Sequence, residues 1–567
     1  MTSPDRPWLD AYAPGVPSDV DVDAPVTVTL QRSAEQFPSH IATDFLGAVT
    51  TYDTLARRVD RAAGALLALG VRPGDRVALV LPNSATHVVA FYAILRIGAV
   101  VVEHNPTYTT DELRHQLADC EATVAIVWEK AVARVLEAQP DTSVRTVIAV
   151  NLASDLPAIK RLALHLPVGA ARATRASMRS RIPAGSGVLR WGRLVGRARP
   201  LPAEHPHPEL ADTALLQYTG GTTGTPKGAV LTHHNVSINA RQGEAWTQVP
   251  AGTETVLAAL PFFHAFGMTL CLTYAIRIAA TLVVVPRFDP DMVLAAHLRR
   301  PITFIPGVPP MFDRLTATAE KKGIDLSTIQ HSISGAMALP RETADRWEAA
   351  TGGVLVEGYG MTETSPVALG SPFSAERRPG MLGIPFPSTY MRVTDPEDPT
   401  TDVEPGERGE LLLAGPQVFA GYWNRPEESA QVLVEHEGRT WLRTGDVVVV
   451  EEHGFVRLVD RIKEVIITGG FNVYPSQVEE HLRRMPGVQD VAVVGIPGGD
   501  LGEKVVAAIV MAEGATRIEL SAVRAWSESA LARYAHPRDL VVLPELPRSQ
   551  IGKVLRRVVR QQIIDRD

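Results

Sequence analysis

Only two of the 567 residues are cysteine, Cys120 and Cys271, and they form no C-x-x-C pair. No His/Cys cluster stands at metal-ligand spacing either. These absences exclude a disulfide-stapled or zinc-organised scaffold and fit a reducing compartment, with both thiols acting as small buried hydrophobes. Excess positive charge is missing as well. The 56 Lys and Arg are outnumbered by 63 Asp and Glu, so the net charge of −7 offers no overall attraction to nucleic acid or to an acidic membrane. Any such attraction would have to be local. The opening residues, MTSPDRPWLD, lack a basic region followed by an apolar core and do not read as a secretory signal. The most apolar long stretch, 270–286, is interrupted by Arg277 and is shorter than a membrane span. The expectation is a soluble, cytoplasmic chain without a nucleic-acid partner.

A single hydrophobic core stops growing at roughly 250–300 residues, so a chain of this length implies two or more domains. From 76 to 106 strand and helix patterns alternate: VALVLPN, then HVVAFYAILRIGA with apolar residues three and four apart, then VVVEHNP. TVAIVW, TLVVVP and ITFIPG repeat the strand pattern. This is the grammar of a parallel sheet with crossover helices, and it predicts an α/β body of two βα subdomains over most of the first 380 residues. After Arg392 short β-rich runs (GELLLAG, TGDVVVVEEHGFVRLVD) predict a small β-barrel or twisted β subdomain over about 392–460. From Lys463 a small α+β domain follows: helix PSQVEEHLRRMP, strands VQDVAVVGIP and KVVAAIVMA, a further helix and a basic tail. The predicted division is therefore 1–462 and 463–567.

One segment stands apart. Residues 156–203 contain ten Lys or Arg and no Asp or Glu, interleaved with Leu, Val, Met and Trp191. This composition suits a solvated, poorly ordered surface insertion. Its sharper reading is a peripheral contact with an anionic membrane, where basic residues mixed with Leu and Trp find both charge and an apolar boundary.

The strongest chemical signal is YTGGTTGTPKG at 218–228. Gly220, Gly221 and Gly224 allow a tight turn and close backbone approach to a ligand. Thr219, Thr222, Thr223 and Thr225 supply hydroxyls and Lys227 a positive charge. Backbone amides, hydroxyls and one lysine together make a polyphosphate cradle. It is not a Walker A loop, which needs Gly-Lys-Ser/Thr in succession, nor a GxGxxG turn.

That stretch resembles the signature loop of the adenylate-forming superfamily, which holds acyl-CoA synthetases, adenylation domains and luciferases. Further motifs similar to the superfamily's follow in order: LPFFHAFGMT at 260–269, SISGAMAL at 332–339, EGYGMTETSP at 357–366, LRTGDVV at 442–448, DRIKEVIITGGFNVYPSQVE at 460–479 and LPRSQIGKVLRR at 546–557. The resemblance implies ATP, Mg²⁺ and coenzyme A as reactants or cofactors. It makes Glu363 the Mg²⁺ contact and gives Thr362 a hydrogen bond to the α-phosphate. Tyr359, with Gly335, Ala336 and Gly358, becomes the wall against adenine. Asp446 would accept from the ribose hydroxyls with Arg461 nearby. Lys553 becomes the catalytic lysine, bridging two anions that would otherwise repel. Lys463 takes the hinge position, and Gly469 and Gly470 line the passage for the CoA arm. His264 falls between the nucleotide and acyl sites, as a structural histidine or as a gate.

Within the superfamily the wording is similar to that of bacterial long-chain fatty acid–CoA ligases, and Phe262, Phe263, Phe266, Met268 and Met337 supply the apolar surface an acyl tunnel needs. The resemblance thus implies a medium- or long-chain carboxylic acid as substrate. An aryl or other carboxylate–CoA ligase, and an acyl-AMP ligase loading a carrier protein, share the first half-reaction. A non-catalytic nucleotide-binding scaffold fits poorly with the retention of Lys553, Glu363, Asp446 and Arg461. A homodimer is compatible with the sequence.

Overall fold

The runs of Val, Ile and Leu that lack alternation form strands covered on both faces. In a computed structural model describing residues 6–219, 226–468, 471–498, 502–528, 530–549 and 552–566, Arg76–Val80 is buried at four of its five positions. Every residue of the following helix, Ala85–Arg96, is buried too, and Ser84 caps its start by accepting from the His87 amide. Such burial on both sides is what a parallel sheet with crossover helices requires.

The chain forms two compact units. The larger comprises Leu9–Thr389 and Gly415–Gln431; the smaller comprises Met1–Trp8, Tyr390–Ala414 and Val432–Asp567.

Two sheets build the larger unit. The first has seven strands, running in space from Leu189–Arg190 through Thr146–Val150, Val124–Trp128, Arg76–Val80, Val100–Glu103 and Thr213–Thr219 to Lys227–Thr232. All its pairings are parallel except the last, in which Thr219 stands opposite Lys227. The second has nine strands. Its parallel centre is Ile41–Phe45, Thr281–Val284, Thr255–Ala258, Phe304–Gly307, His331–Ser334 and Val354–Gly360, with antiparallel strands at both ends.

The basic segment is built into this unit. Leu189–Arg190 adds a parallel strand beside Thr146–Val150, and helices cover Ala158–Ala163, Gly169–Met178 and Trp191–Arg197. Trp191 is buried, and the Trp128 indole N–H donates to the Met178 carbonyl at 2.8 Å. The buried Glu129 carboxylate lies 3.6 Å from Arg179 and 3.7 Å from Arg190. These anchors give the segment the order that its composition hides.

In the smaller unit the β-rich run after Arg392 is a five-stranded antiparallel sheet. Its long strand Arg439–Val450 pairs with Gly409–Ala414, Leu433–His436 and Val456–Arg461. A three-stranded sheet follows, made of Val488–Pro497, Glu503–Met511 and Asp539–Val542. The stretch expected as a basic tail contributes that third strand and the helix Arg556–Ile564. The helix buries Val559 and Ile563 against Val494, Val506 and Leu543. Its apolar stripe is narrow and Arg-flanked, so composition alone reads it as tail. Among the described residues no helix is long and apolar enough to cross a membrane.

Phe304, on a central strand of the nine-stranded sheet, is fully buried, with Tyr274 at 5.7 Å between ring centres. Phe304→Ala should lower the larger unit's stability by about 3–5 kcal/mol, read as a lower denaturant midpoint at unchanged slope.

Candidate active site

Strand pairing fixes both flanks of the stretch expected to bind phosphate. Thr219 and Lys227 face each other across the antiparallel pair, so the chain leaves and re-enters the sheet at adjacent positions. Gly220, Gly221, Thr222, Thr223 and Gly224, between them, lie outside the described residues, as do Gly469 and Gly470. Tyr218 steadies the base of the loop. Its hydroxyl donates to Asp119 at 2.6 Å, and its ring stacks on His104. The same Asp119 carboxylate receives Arg425 at 3.0 Å, while its carbonyl receives the Trp423 indole at 3.2 Å.

Gly335, Ala336, Gly358 and Tyr359 come together because strands His331–Ser334 and Val354–Gly360 are parallel neighbours, with Ser334 opposite Glu357. A side chain at Gly335 would stand 2.9 Å from the Phe266 ring and 3.3 Å from the Gly358 carbonyl, so the wall is closed to anything larger. Ala336 turns the chain in the left-handed region at φ 64°. Tyr359 is half-buried at the end of its strand.

Glu357, which sequence reasoning did not single out, organises this wall. Its carboxylate accepts the Leu339 amide at 3.1 Å and the Gly380 amide at 2.7 Å, tying both loops to the strand. Burial pushes the carboxyl up to about 7 in spite of those two donors.

Thr362 and Glu363 form a single helical turn directly after the Val354–Gly360 strand. The Glu363 carboxylate is buried and accepts from the Tyr422 hydroxyl at 2.7 Å, while its carbonyl accepts the Phe419 amide at 2.9 Å. Lys227 makes an ion pair with Glu428 at 3.0 Å and lies 5.1 Å from the centre of the Tyr422 ring. No group of three or more His, Cys, Asp or Glu gathers at metal-ligand distance among the described residues. A single buried carboxylate, joined through Tyr422 to the neighbourhood of Lys227, still fits Mg²⁺, which is held by one or two carboxylates together with substrate phosphates.

His264 caps a short helical turn, its Nδ1 accepting the Phe266 amide at 3.3 Å. Burial pushes its imidazole down to about 4, so it is neutral at physiological pH. Phe262, Phe266 and Met268 are buried, Phe263 and Met337 half-buried.

In the smaller unit, Asp446 and Arg461 stand opposite each other in register on paired strands, joined by a 3.0 Å ion pair. Lys553 comes close enough to feel both charges. Burial, with Arg461 second, holds its ammonium down to about 8, against an opposing pull from Asp446. Three residues predicted from separate motifs thus converge. Arg556, three residues after Lys553, grips Glu479 through two hydrogen bonds of 2.8 and 2.7 Å and also reaches Ser476 and Glu464. Lys463 is exposed on the turn Ile462–Glu464.

Tyr422, Glu428, Asp119, Glu357 and Arg556 were not legible as site residues. Each acts on a group far away in sequence, and a lone Tyr or Glu carries no local sign of its partner.

Because Glu357 titrates higher in the folded chain than its ordinary 4.5, its protonated form stabilises the fold below about pH 4.5. That contribution, on the order of 3 kcal/mol, is lost as pH rises through about 7. Thermal unfolding across pH 4–8 should therefore show a fall that Glu357→Gln flattens. An unchanged slope in that variant would contradict the assignment.

Residues 30–423 match the model of the AMP-binding enzyme family and residues 477–553 that of the AMP-binding enzyme C-terminal domain. The long-chain-fatty-acid–CoA ligase of Bacillus subtilis is 35% identical over 555 residues, covering 97% of each chain. The enzyme of the same name from Yersinia pestis is 37% identical over 569 residues, covering 98% of each. The crystal structure of ATP-bound MatB from Rhodopseudomonas palustris superimposes with a TM-score of 0.78 at 28% identity, over 96% of this chain and 99% of that one. On this shared fold, and with matching sequence over nearly its whole length, the chain belongs to the AMP-binding enzyme family.

Proposed function

We propose that this AMP-binding enzyme is an ATP-dependent fatty acid–CoA ligase acting on medium- to long-chain acids. The observation that carries the reading is the convergence of Asp446, Arg461 and Lys553 in a chain whose relatives are named for that reaction. In the first half-reaction a carboxylate oxygen of the acid attacks the α-phosphorus of ATP. The bond to the bridging oxygen breaks, giving acyl-AMP and pyrophosphate. In the second the CoA sulfur attacks the acyl carbon, AMP leaves, and the thiol proton passes to solvent.

In this reading Lys553 offsets the repulsion between the acid and the α-phosphate, and Thr362 donates to that phosphate. Asp446, oriented by Arg461, accepts from the ribose. Tyr359, Gly335, Ala336 and Gly358 face the adenine, while Thr219, Lys227 and the loop between them receive the phosphates. Glu363 would hold Mg²⁺ together with ATP, the ion supplying positive charge against the departing pyrophosphate. A neutral His264 among Phe262, Phe266 and Met268 suits an apolar acyl entrance, since it brings no charge there. Lys463, which lies within the smaller unit, is read as the hinge between the β-rich run that precedes it and the domain 463–567, with Gly469 and Gly470 lining the CoA arm.

A pyrophosphate-release panel over straight-chain and aryl acids, with and without CoA, tests the assignment. Medium- and long-chain acids should release pyrophosphate, and CoA should convert the adenylate to a thioester. Lys553→Ala should cut the first step at least about 100-fold while leaving unfolding unchanged. In the unsubstituted enzyme that step should fall as pH rises past about 8, where Lys553 loses its charge. An aryl preference, or no CoA product, would redirect the reading.

The partner assignment extends to an anionic membrane surface. Ile159, Leu162, Leu166 and Val168 are exposed, between 53% and 84%, on a stretch that also carries Lys160, Arg161, Arg172 and Arg175. Aliphatic side chains ringed by cations suit a headgroup boundary. Co-sedimentation with vesicles rich in phosphatidylglycerol should fall when Ile159 and Leu162 are both changed to Ser, and in high salt. Equal binding by that variant would refute the contact.

A further inference from the structure

The charged groups read as meeting the nucleotide phosphates, Glu363 and Lys227, are both engaged by one short segment that no sequence motif assigned. Tyr422 donates its hydroxyl to Glu363 at 2.7 Å, and its ring stacks edge-on against Phe419, whose amide donates to the Glu363 carbonyl at 2.9 Å. The carboxylate is thus held from both its side-chain and main-chain ends. The face of the same ring meets Lys227 at 5.1 Å, within the range of a cation–π contact. Six residues on, Glu428 pairs with the Lys227 ammonium at 3.0 Å. The segment is itself fixed to the loop strand. The Trp423 amide donates to the Gly228 carbonyl at 2.8 Å, the Val230 amide to the Gly421 carbonyl at 2.9 Å, and the Ala420 amide to the Val230 carbonyl at 3.0 Å.

We propose that this segment presets the phosphate site, Tyr422 as the positioning residue for Glu363 and Glu428 as a resident counter-ion that Lys227 exchanges for nucleotide phosphate. The inference rests on reading Glu363 and Lys227 as phosphate-handling groups. Its physical content is a competition. An ammonium already paired with a carboxylate must break that pair before it can serve a phosphate, so part of the binding free energy is spent on the exchange. In return the lysine is held at the start of its strand, between the Glu428 carboxylate and the Tyr422 ring. The tyrosine has the opposite effect. A neutral donor on one carboxylate oxygen fixes the group's orientation without cancelling its charge, as outer partners of metal ligands do.

Calorimetric titration of ATP into the full chain, without acid so that no turnover occurs, and over a series of Mg²⁺ concentrations, separates these roles. Glu428→Gln should bind ATP about two- to five-fold more tightly, the range an exposed-to-half-buried ion pair can hold back. A gain in affinity cannot come from damage to the fold. The gain should vanish in the double variant Glu428→Gln/Lys227→Met, because the carboxylate acts through the lysine rather than by through-space repulsion. Tyr422→Phe keeps the ring and its stacking on Phe419. It should raise the Mg²⁺ concentration for half-maximal ATP binding about ten-fold, with unfolding temperature unchanged. Unchanged affinity in Glu428→Gln, a gain that survives loss of Lys227, or an unaltered Mg²⁺ requirement in Tyr422→Phe would overturn the proposal while leaving the nucleotide reading intact. Failure of the unsubstituted chain to bind ATP would overturn both.

Discussion

Where a parallel strand ends, its last backbone groups lose their ladder partners, and in a buried region they must be satisfied by something else. The larger unit meets this constraint at its site. The ladder is carried to its last rungs, with the Gly335 amide on the Gly307 carbonyl at 3.1 Å and the Ser371 amide on the Glu357 carbonyl at 2.8 Å. Glu357 then spends both carboxylate oxygens on the Leu339 and Gly380 amides. One of the loops so fixed carries Gly335 and Ala336, which are proposed to face the adenine. An open α/β sheet binds ligands beyond the carboxyl ends of its strands for this reason: that is where backbone is free to turn.

A second theme is the grouping of charges through neutral or opposite-sign intermediaries. In the larger unit Asp119 receives Tyr218 and Arg425, and Tyr422 stands between Glu363 and Lys227. In the smaller unit Arg556 meets Glu479, Glu464 and Ser476, while Asp460 accepts the Ser476 amide at 2.8 Å. The segment Asp460–Glu464, which carries Arg461 and Lys463, is thereby bound to the helix that follows Lys553. Buried carboxylates of this kind are costly unless paired. Their pairing therefore holds Lys553, with its depressed ammonium, beside the Asp446–Arg461 ion pair.

The chemistry implied is electrostatic throughout. Two anions must react, so the proposed roles give Lys553 and Lys227 the task of bringing positive charge to the phosphates, while a neutral His264 adds no charge at the proposed acyl entrance. The lowered imidazole of His264 and the lowered ammonium of Lys553 both follow from burial, yet they serve different ends. One removes a charge. The other keeps a charge that is easily discharged as pH rises.

Hydrophobic runs such as VALVLPN and ITFIPG, the Gly/Thr loop at 218–228 and the motif carrying Lys553 were readable because each is local: a strand buried on both faces, a turn that needs glycine, a lysine in a distinctive context. Those features determined the α/β class and the family, and with them the expectation of an ATP-handling loop. The partners of these groups were decided only by the tertiary structure. Tyr422 reaches Glu363 across 59 residues and Arg556 reaches Glu479 across 77. Nothing within a few positions of either residue registers that pairing. The basic run at 156–203 shows the same limit from the other side. Its composition reads as solvated, but Glu129 and Trp128, outside the run, anchor it to the first sheet. Local sequence specifies what a segment can bury; which distant charge it must satisfy is settled only when the sheets bring the segments together.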